Sequence, residues 1–147
     1  MSISTAESLT SVNRIFLDAA YAIALSAPKD QYHAQAVRLA EEIEANGTLL
    51  VTTRAVILEI GNALSKERYR QAGVQLLNAL EADPRVEIVS ISEQLYQRGF
   101  QLYSSRPDKE WGLTDCLSFV VMAEHGLTDA LTTDEHFEQA GFRALLR

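Results

Sequence analysis

Short apolar runs alternate along this chain with longer stretches in which apolar side chains recur every three or four residues, the pattern of strands interleaved with helices. Ile15, Phe16 and Leu17 form a run too brief for a helix, which reads as a strand buried on both faces and ending at Asp18. Residues 19–25 then turn helical, Pro28 to Asp30 break the helix, and Tyr32, Ala36, Leu39, Ala40 and Ile43 mark a second one that Gly47 closes. Residues 48–52 read as a second strand, after which Thr53 caps a helix carrying Val56, Ile57, Leu58, Ile60, Ala63 and Leu64. A further helix over 69–82 ends ahead of Pro84, and 86–89 is a third strand. Ser92 and Glu93 open a helix that reaches Tyr103, and SSRPDKE reads as a polar loop. Thr114 reads as the N-cap of the next helix, with Asp115 in its first turn; Cys116, Leu117, Phe119, Val120, Val121 and Met122 make that helix apolar nearly all round, hence buried. Gly126 stops it, 130–133 forms a short interior strand, Asp134 emerges where the strand ends, and Gly141 turns the chain into a last strand over 142–146.

Strands alternating with helices predict an α/β fold: a central parallel sheet of about four or five strands flanked by helices and joined by right-handed crossovers. With 147 residues, 47% of them hydrophobic, the chain can bury one ordinary core, so 14–147 reads as a single domain behind a loose leader over 1–13. No apolar run reaches the length of a bilayer span, and the leader lacks the apolar centre of a signal peptide. The lone Cys116 excludes an intramolecular disulfide and reads as a small core side chain. A cytoplasmic protein with no membrane partner is the expectation.

The formal charge of −7, from 20 acids against 13 bases, argues against gripping nucleic acid by bulk electrostatics. It does not exclude a nuclease, because a carboxylate cluster holding divalent cations reverses its sign toward a substrate. His33, His125 and His136 lack zinc-ligand spacing, paired cysteines are absent, and the glycines never cluster into a phosphate-cradling loop.

Four acids stand out by position: Asp18 ending the first strand, Glu59 inside an apolar helix, Asp115 opening a buried helix, and Asp134 following a strand. In open α/β sheets ligands bind at the carboxyl ends of the strands, so one crevice could collect all four. Carboxylates at close range repel unless a cation neutralises them, and hard oxygen donors suit Mg²⁺ or Mn²⁺, ions that engage phosphates. That combination points to phosphodiester chemistry. Each acid also has a plainer reading: Asp18 and Asp134 as caps, Asp115 as a partner of the helix dipole, Glu59 as a buried pair with Arg54 or Lys66. His136, beside Phe137, reads as packing under the terminal loop. Trp111 and Tyr21 read as packing, with base stacking as the alternative, and Lys66, Arg68 and Arg70 as a solvated helix face.

The runs FLDAAYAIAL, ILEIGNAL, WGLTDCLSF and ALTTDEHFEQAGF, in this order and at these separations, resemble a PIN-domain protein of the VapC toxin type over nearly all of the chain after the leader. The resemblance implies a metal-dependent endoribonuclease that hydrolyses RNA as the toxin of a toxin–antitoxin pair. Asp18, Glu59, Asp115 and Asp134 fall on the family's acidic positions, as catalytic residues and ligands of Mg²⁺ or Mn²⁺. It further implies a small antitoxin partner and a homodimer. One departure stands: the family often has Ser or Thr after its first aspartate, where this chain has Ala19 and Ala20, so a hydroxyl orienting the carboxylate is either missing, which weakens catalysis, or supplied by Thr132, Thr133 or Ser118. The rival reading is a PIN-like binding module without turnover. A phosphatase with an aspartate nucleophile would need a second aspartate two residues on, where Ala20 stands.

Overall fold

The computed structural model describes residues 13–147. In chain order the elements are β1 (Arg14–Leu17), α1 (Ala19–Ser26), α2 (His33–Asn46), β2 (Leu49–Thr53), α3 (Arg54–Ala63), α4 (Glu67–Ala82), β3 (Val86–Val89), α5 (Glu93–Ser105), α6 (Leu113–Glu124), β4 (Asp129–Leu131), α7 (Glu135–Gln139) and β5 (Arg143–Ala144). The expected leader lies outside the described residues except for Asn13, whose carbonyl accepts from the Leu49 N–H at 2.9 Å.

All five strands are parallel, in the order β3-β2-β1-β4-β5. A parallel sheet covered on both faces needs continuous apolar strands, and β1 supplies one: Phe16 and Leu17 are buried, with Phe16 in register with Val51 on one side and Ala130 on the other. From β1 the chain builds outward to β2 and β3, then returns to the other side of β1 to lay down β4 and β5. The reversal falls between β1 and β4, and a crevice opens beyond the carboxyl ends of strands flanking such a switch point.

Local chemistry explains most element ends. Gly47 takes the left-handed conformation (φ +63°) that closes α2. Thr53 is the last residue of β2 and the N-cap of α3, its hydroxyl accepting from the Val56 N–H at 3.1 Å, so β2 runs one residue later than the pattern predicts. Ser92 caps α5 in the same way through the Leu95 N–H at 3.0 Å. Gly99 lets α5 lie close against α6, since a Cβ there would stand 2.5 Å from Leu117 Cδ2.

The start of α6 differs from expectation. Its N-cap is Gly112, not Thr114, and Asp115 occupies the third helical position, from which its Oδ2 accepts from the Gly112 N–H at 3.4 Å. α5 continues through Ser105 into the expected loop, β4 is confined to three residues, and β5 to two. Beyond β5 the chain stays alongside β4 through the Leu145 and Leu146 N–H groups, which donate to Ala130 and Thr132 carbonyls at 2.9 and 3.1 Å. Among the described residues no helix is long and apolar enough to cross a membrane.

Candidate active site

Asp18 follows directly on the end of the central strand, at the carboxyl edge of the sheet beside the switch point, and is 7% exposed. It occupies the N-cap position of α1 without a side-chain cap bond, so the plain capping reading fails. Its Oδ2 instead accepts from the hydroxyl of Thr132 at 2.7 Å. Thr132, fully buried just past β4, also receives the Asp134 N–H on the same oxygen at 3.1 Å. One hydroxyl therefore ties the acid after β1 to the acid after β4. Of the three hydroxyls expected to stand in for the residue after Asp18, Thr132 is the one bonded to it; Ser118 is spent on the Thr114 carbonyl at 3.1 Å.

Asp115 comes from the first turn of α6 and Asp134 from the N-cap of α7, where its Oδ1 accepts from the His136 N–H at 2.9 Å. Glu59 projects from the middle of α3 and is exposed, contrary to its expected burial among apolar neighbours; the apolar side of α3 turns Val56, Ile57 and Ile60 inward and leaves Glu59 outside. Arg54 pairs with Glu81, so it does not neutralise Glu59.

The electrostatics show how closely these groups share one space. Asp18 is pushed up from 3.8 to about 7, chiefly by burial, with the charges of Glu59 and Asp115 adding to it against the hydrogen bonds from Thr132 and the Ala19 main chain. Glu59 is raised by the protein bulk around it and then by Asp115 and Asp134. Asp115 is raised by burial and by Asp134, against the pull of His136. Asp18 and Glu59 each feel two of the other acids, and Asp115 feels one. Cys116, next to Asp115, has its thiol pushed up to about 11 by burial and then by that charge, which leaves it inert as a nucleophile.

The tightest donor group includes a residue the sequence pattern assigned to packing. Asp115, Asp134 and His136 each bring a donor atom within 4.8 Å of the others. His136 Nδ1 stands 3.2 Å from Asp115 Oδ2 and 3.4 Å from Asp134 Oδ1. The available signal was its spacing: a residue two places after an N-cap aspartate is carried back over the cap. Carboxylate oxygens with one imidazole nitrogen suit a divalent cation of the hard-to-borderline class.

Beneath the acids an aromatic chain fixes the elements that carry them. Phe137 of α7 packs on Phe16 of β1 with ring centroids 6.2 Å apart and edge-on against Phe119 of α6 at 5.0 Å. Trp111 meets Phe119 edge-on at 5.0 Å and donates its indole N–H to Gln139 Oε1 at 3.0 Å. Trp111 and Tyr21 are both buried, which removes the base-stacking alternative for either. Lys66, Arg68 and Arg70 are exposed, as expected of a solvated face.

Comparison with known proteins gives this geometry a context. The family model of the PIN domain matches residues 15–143. The 23S rRNA-specific endonuclease VapC20 of Mycobacterium tuberculosis, in strains CDC 1551 and H37Rv, is 25% identical over 128 residues, covering 87% of this chain and 95% of that protein. The crystal structure of M. tuberculosis VapC20, described as a Sarcin-Ricin loop cleaving toxin, is similar with a TM-score of 0.78 at 24% identity, covering 87% of this chain and 95% of that one. VapBC2 from Rickettsia felis, bound to a DNA fragment from its promoter, is similar with a TM-score of 0.64 at 14% identity, covering 89% and 96%. The family match runs from β1 into β5 and takes in Asp18, Glu59, Asp115 and Asp134, and on that match the chain belongs to the PIN-domain family.

Proposed function

We propose that this chain is a metal-dependent endoribonuclease, the toxin of a toxin–antitoxin pair, with Asp18, Glu59, Asp115 and Asp134 as its catalytic acids and as ligands of Mg²⁺ or Mn²⁺. The observation that carries the reading is that these acids, from four separate elements at the switch-point edge of a PIN-domain sheet, lie close enough for Glu59, Asp115 and Asp134 to raise the proton affinity of their neighbours. Such a cluster is poorly matched to itself and well matched to a cation. A bound divalent cation supplies charge neutralisation at the scissile phosphate and polarises the attacking water.

The side chains divide the remaining work. The Thr132 hydroxyl holds one oxygen of Asp18 in place. Gly112 and the main chain of His136 do the same for Asp115 and Asp134, so three of the acids arrive with their orientation already set. Glu59, exposed on α3, brings the fourth carboxylate from the solvent side. RNA is the substrate class supported by likeness to a 23S rRNA-specific endonuclease, and structured ribosomal RNA is the first substrate to try. A small antitoxin, a second copy of the chain and action in the cytoplasm belong to the same reading. Tyr96, Phe100 and Tyr103 form an exposed aromatic stripe along α5, and sedimentation of the purified chain at micromolar concentration tests whether it pairs. The rival, a module without turnover, draws on Ala19, Ala20 and the acidic charge; the Thr132 hydroxyl on Asp18 answers the first point and leaves the charge, and the cleavage test below decides between the two.

The test is cleavage of a mixed RNA pool with Mg²⁺, with Mn²⁺ or with chelator, alongside Asp115→Asn. Cutting that requires the metal and is lost in a folded variant is the expected result. Equal cutting by the variant, or by wild type in chelator, sinks the assignment.

A further inference from the structure

The chain has three histidines, and two of them are tied into the scaffold. His33 and His125 each set Nδ1 against a main-chain carbonyl, Ala24 at 2.8 Å and Val121 at 3.0 Å, which places the proton on Nδ1 and the role in packing. His136 differs: its Nδ1 turns toward two carboxylates that themselves need a positive partner.

We infer that His136 is a direct ligand of the catalytic cation through Nδ1, making this a mixed carboxylate–imidazole centre that favours Mn²⁺ over Mg²⁺. The inference rests on the metal-dependent reading of the site and deepens it. Donors on adjacent corners of an octahedral ion with bonds of roughly 2.1 Å lie about 3 Å apart. The separations of 3.2 Å and 3.4 Å from Nδ1 to Asp115 Oδ2 and Asp134 Oδ1 match adjacent corners, and the group as a whole stays within 4.8 Å. An ion held by these three would touch α6, the end of β4 and α7 at once. The imidazole is a quarter exposed, open enough for an ion to reach and covered enough to hold its orientation. A ligating Nδ1 offers its lone pair, with the proton on Nε2.

The same distances also suit a different arrangement, in which Nδ1–H donates to the carboxylates and holds them together with no ion. The two arrangements have opposite consequences for metals. As a ligand, His136 adds affinity, more for Mn²⁺ than for Mg²⁺ because nitrogen donors suit Mn²⁺ better than the strictly oxygen-seeking Mg²⁺. As a plug, it competes with the ion, and its removal tightens binding of both.

The experiment is pulsed electron paramagnetic resonance on the full chain loaded with substoichiometric Mn²⁺, followed by calorimetric titration of wild type and His136→Gln with Mn²⁺ and with Mg²⁺. The expected result is ¹⁴N coupling to Mn²⁺ in wild type that disappears in the variant, with Mn²⁺ affinity falling about tenfold and Mg²⁺ affinity by less than about threefold. Bound Mn²⁺ without nitrogen coupling overturns the inference from the wild-type spectrum alone, whatever the variant does. Coupling that survives in the variant, or a variant that binds Mn²⁺ as tightly as wild type, also overturns it. In each of those cases Mg²⁺-dependent RNA cutting by wild type leaves the nuclease reading standing. A folded wild type that takes up neither ion ends both.

Discussion

Asp18 gives the sharpest prediction because its burial and its charge pull against each other. Its carboxyl moves from 3.8 to about 7 on folding, with burial as the main cause and Glu59 and Asp115 adding to it. A raised acid binds more protons in the native state than in the unfolded one, so its contribution to stability is fully present below pH 4 and is lost as pH rises through about 7. Three pKa units correspond to about 4 kcal/mol, of which about 3 kcal/mol falls between pH 5 and pH 8. Glu59 and Asp115 are raised in the same direction and add to the slope. The assay is urea unfolding of the metal-free protein across that range. Wild type should become less stable with rising pH, and Mg²⁺ at pH 8 should restore what was lost. Asp18→Asn keeps an oxygen to accept from Thr132 and removes the charge. The variant should therefore flatten most of the slope and be more stable than wild type at pH 8 in chelator. Wild-type stability that is flat or rises from pH 5 to 8 without metal, or a variant weaker than wild type at pH 8, refutes the reasoning.

Thr132→Val removes a hydroxyl that serves Asp18 and Asp134 while keeping the volume; it should cost about 2–4 kcal/mol in urea unfolding at neutral pH and depress RNA cutting, with Thr132→Ser retaining most of both. Glu59→Gln lies at an exposed position outside any ion pair found among the described residues, so its melting temperature should stay within about a degree or two while metal-dependent cutting is lost; a large drop in melting temperature would instead make Glu59 structural. Phe137→Ala opens a cavity beneath the acids and should cost about 3–5 kcal/mol, read by calorimetry, and a loss under about 1 kcal/mol would show that the aromatic chain does not hold the site's frame.

Much of this architecture was legible because each element carries its own period or cap. Phe16 and Leu17 announce a strand covered on both faces, and Thr53 and Ser92 announce the helices they cap. The start of α6 was misread because Thr114 is the better capping residue by type, whereas the chain uses Gly112 and lets Asp115 bond backward to its N–H. That choice puts Thr114 inside the helix and aims the Asp115 carboxylate at the crevice. The end of β4 was overextended because Thr132 and Thr133 are β-branched and suit a strand by type, and that of β5 because the apolar Leu145 and Leu146 continue alongside β4 after the ladder ends.

The site was legible only as a set of interruptions. Three acids stand at element ends and Glu59 interrupts an apolar helix, but nothing local says that β1 and β4 are neighbours, since sheet order is a property of crossovers. For the same reason the expected burial of Glu59 is wrong: helical periodicity gives a face, and only the packing of α3 decides that Glu59 is left exposed. His136 shows the other limit. Its neighbour Phe137 is fully buried, which makes packing the natural guess for both, yet a helix turns about 100° per residue, so a residue beside a core position can point well away from the core. The turn of α7 sends Phe137 down onto Phe16 and His136 up against Asp115. A five-residue helix thereby anchors in the core through one residue and sets an imidazole beside two carboxylates through the next, a division of labour that composition and spacing do not encode.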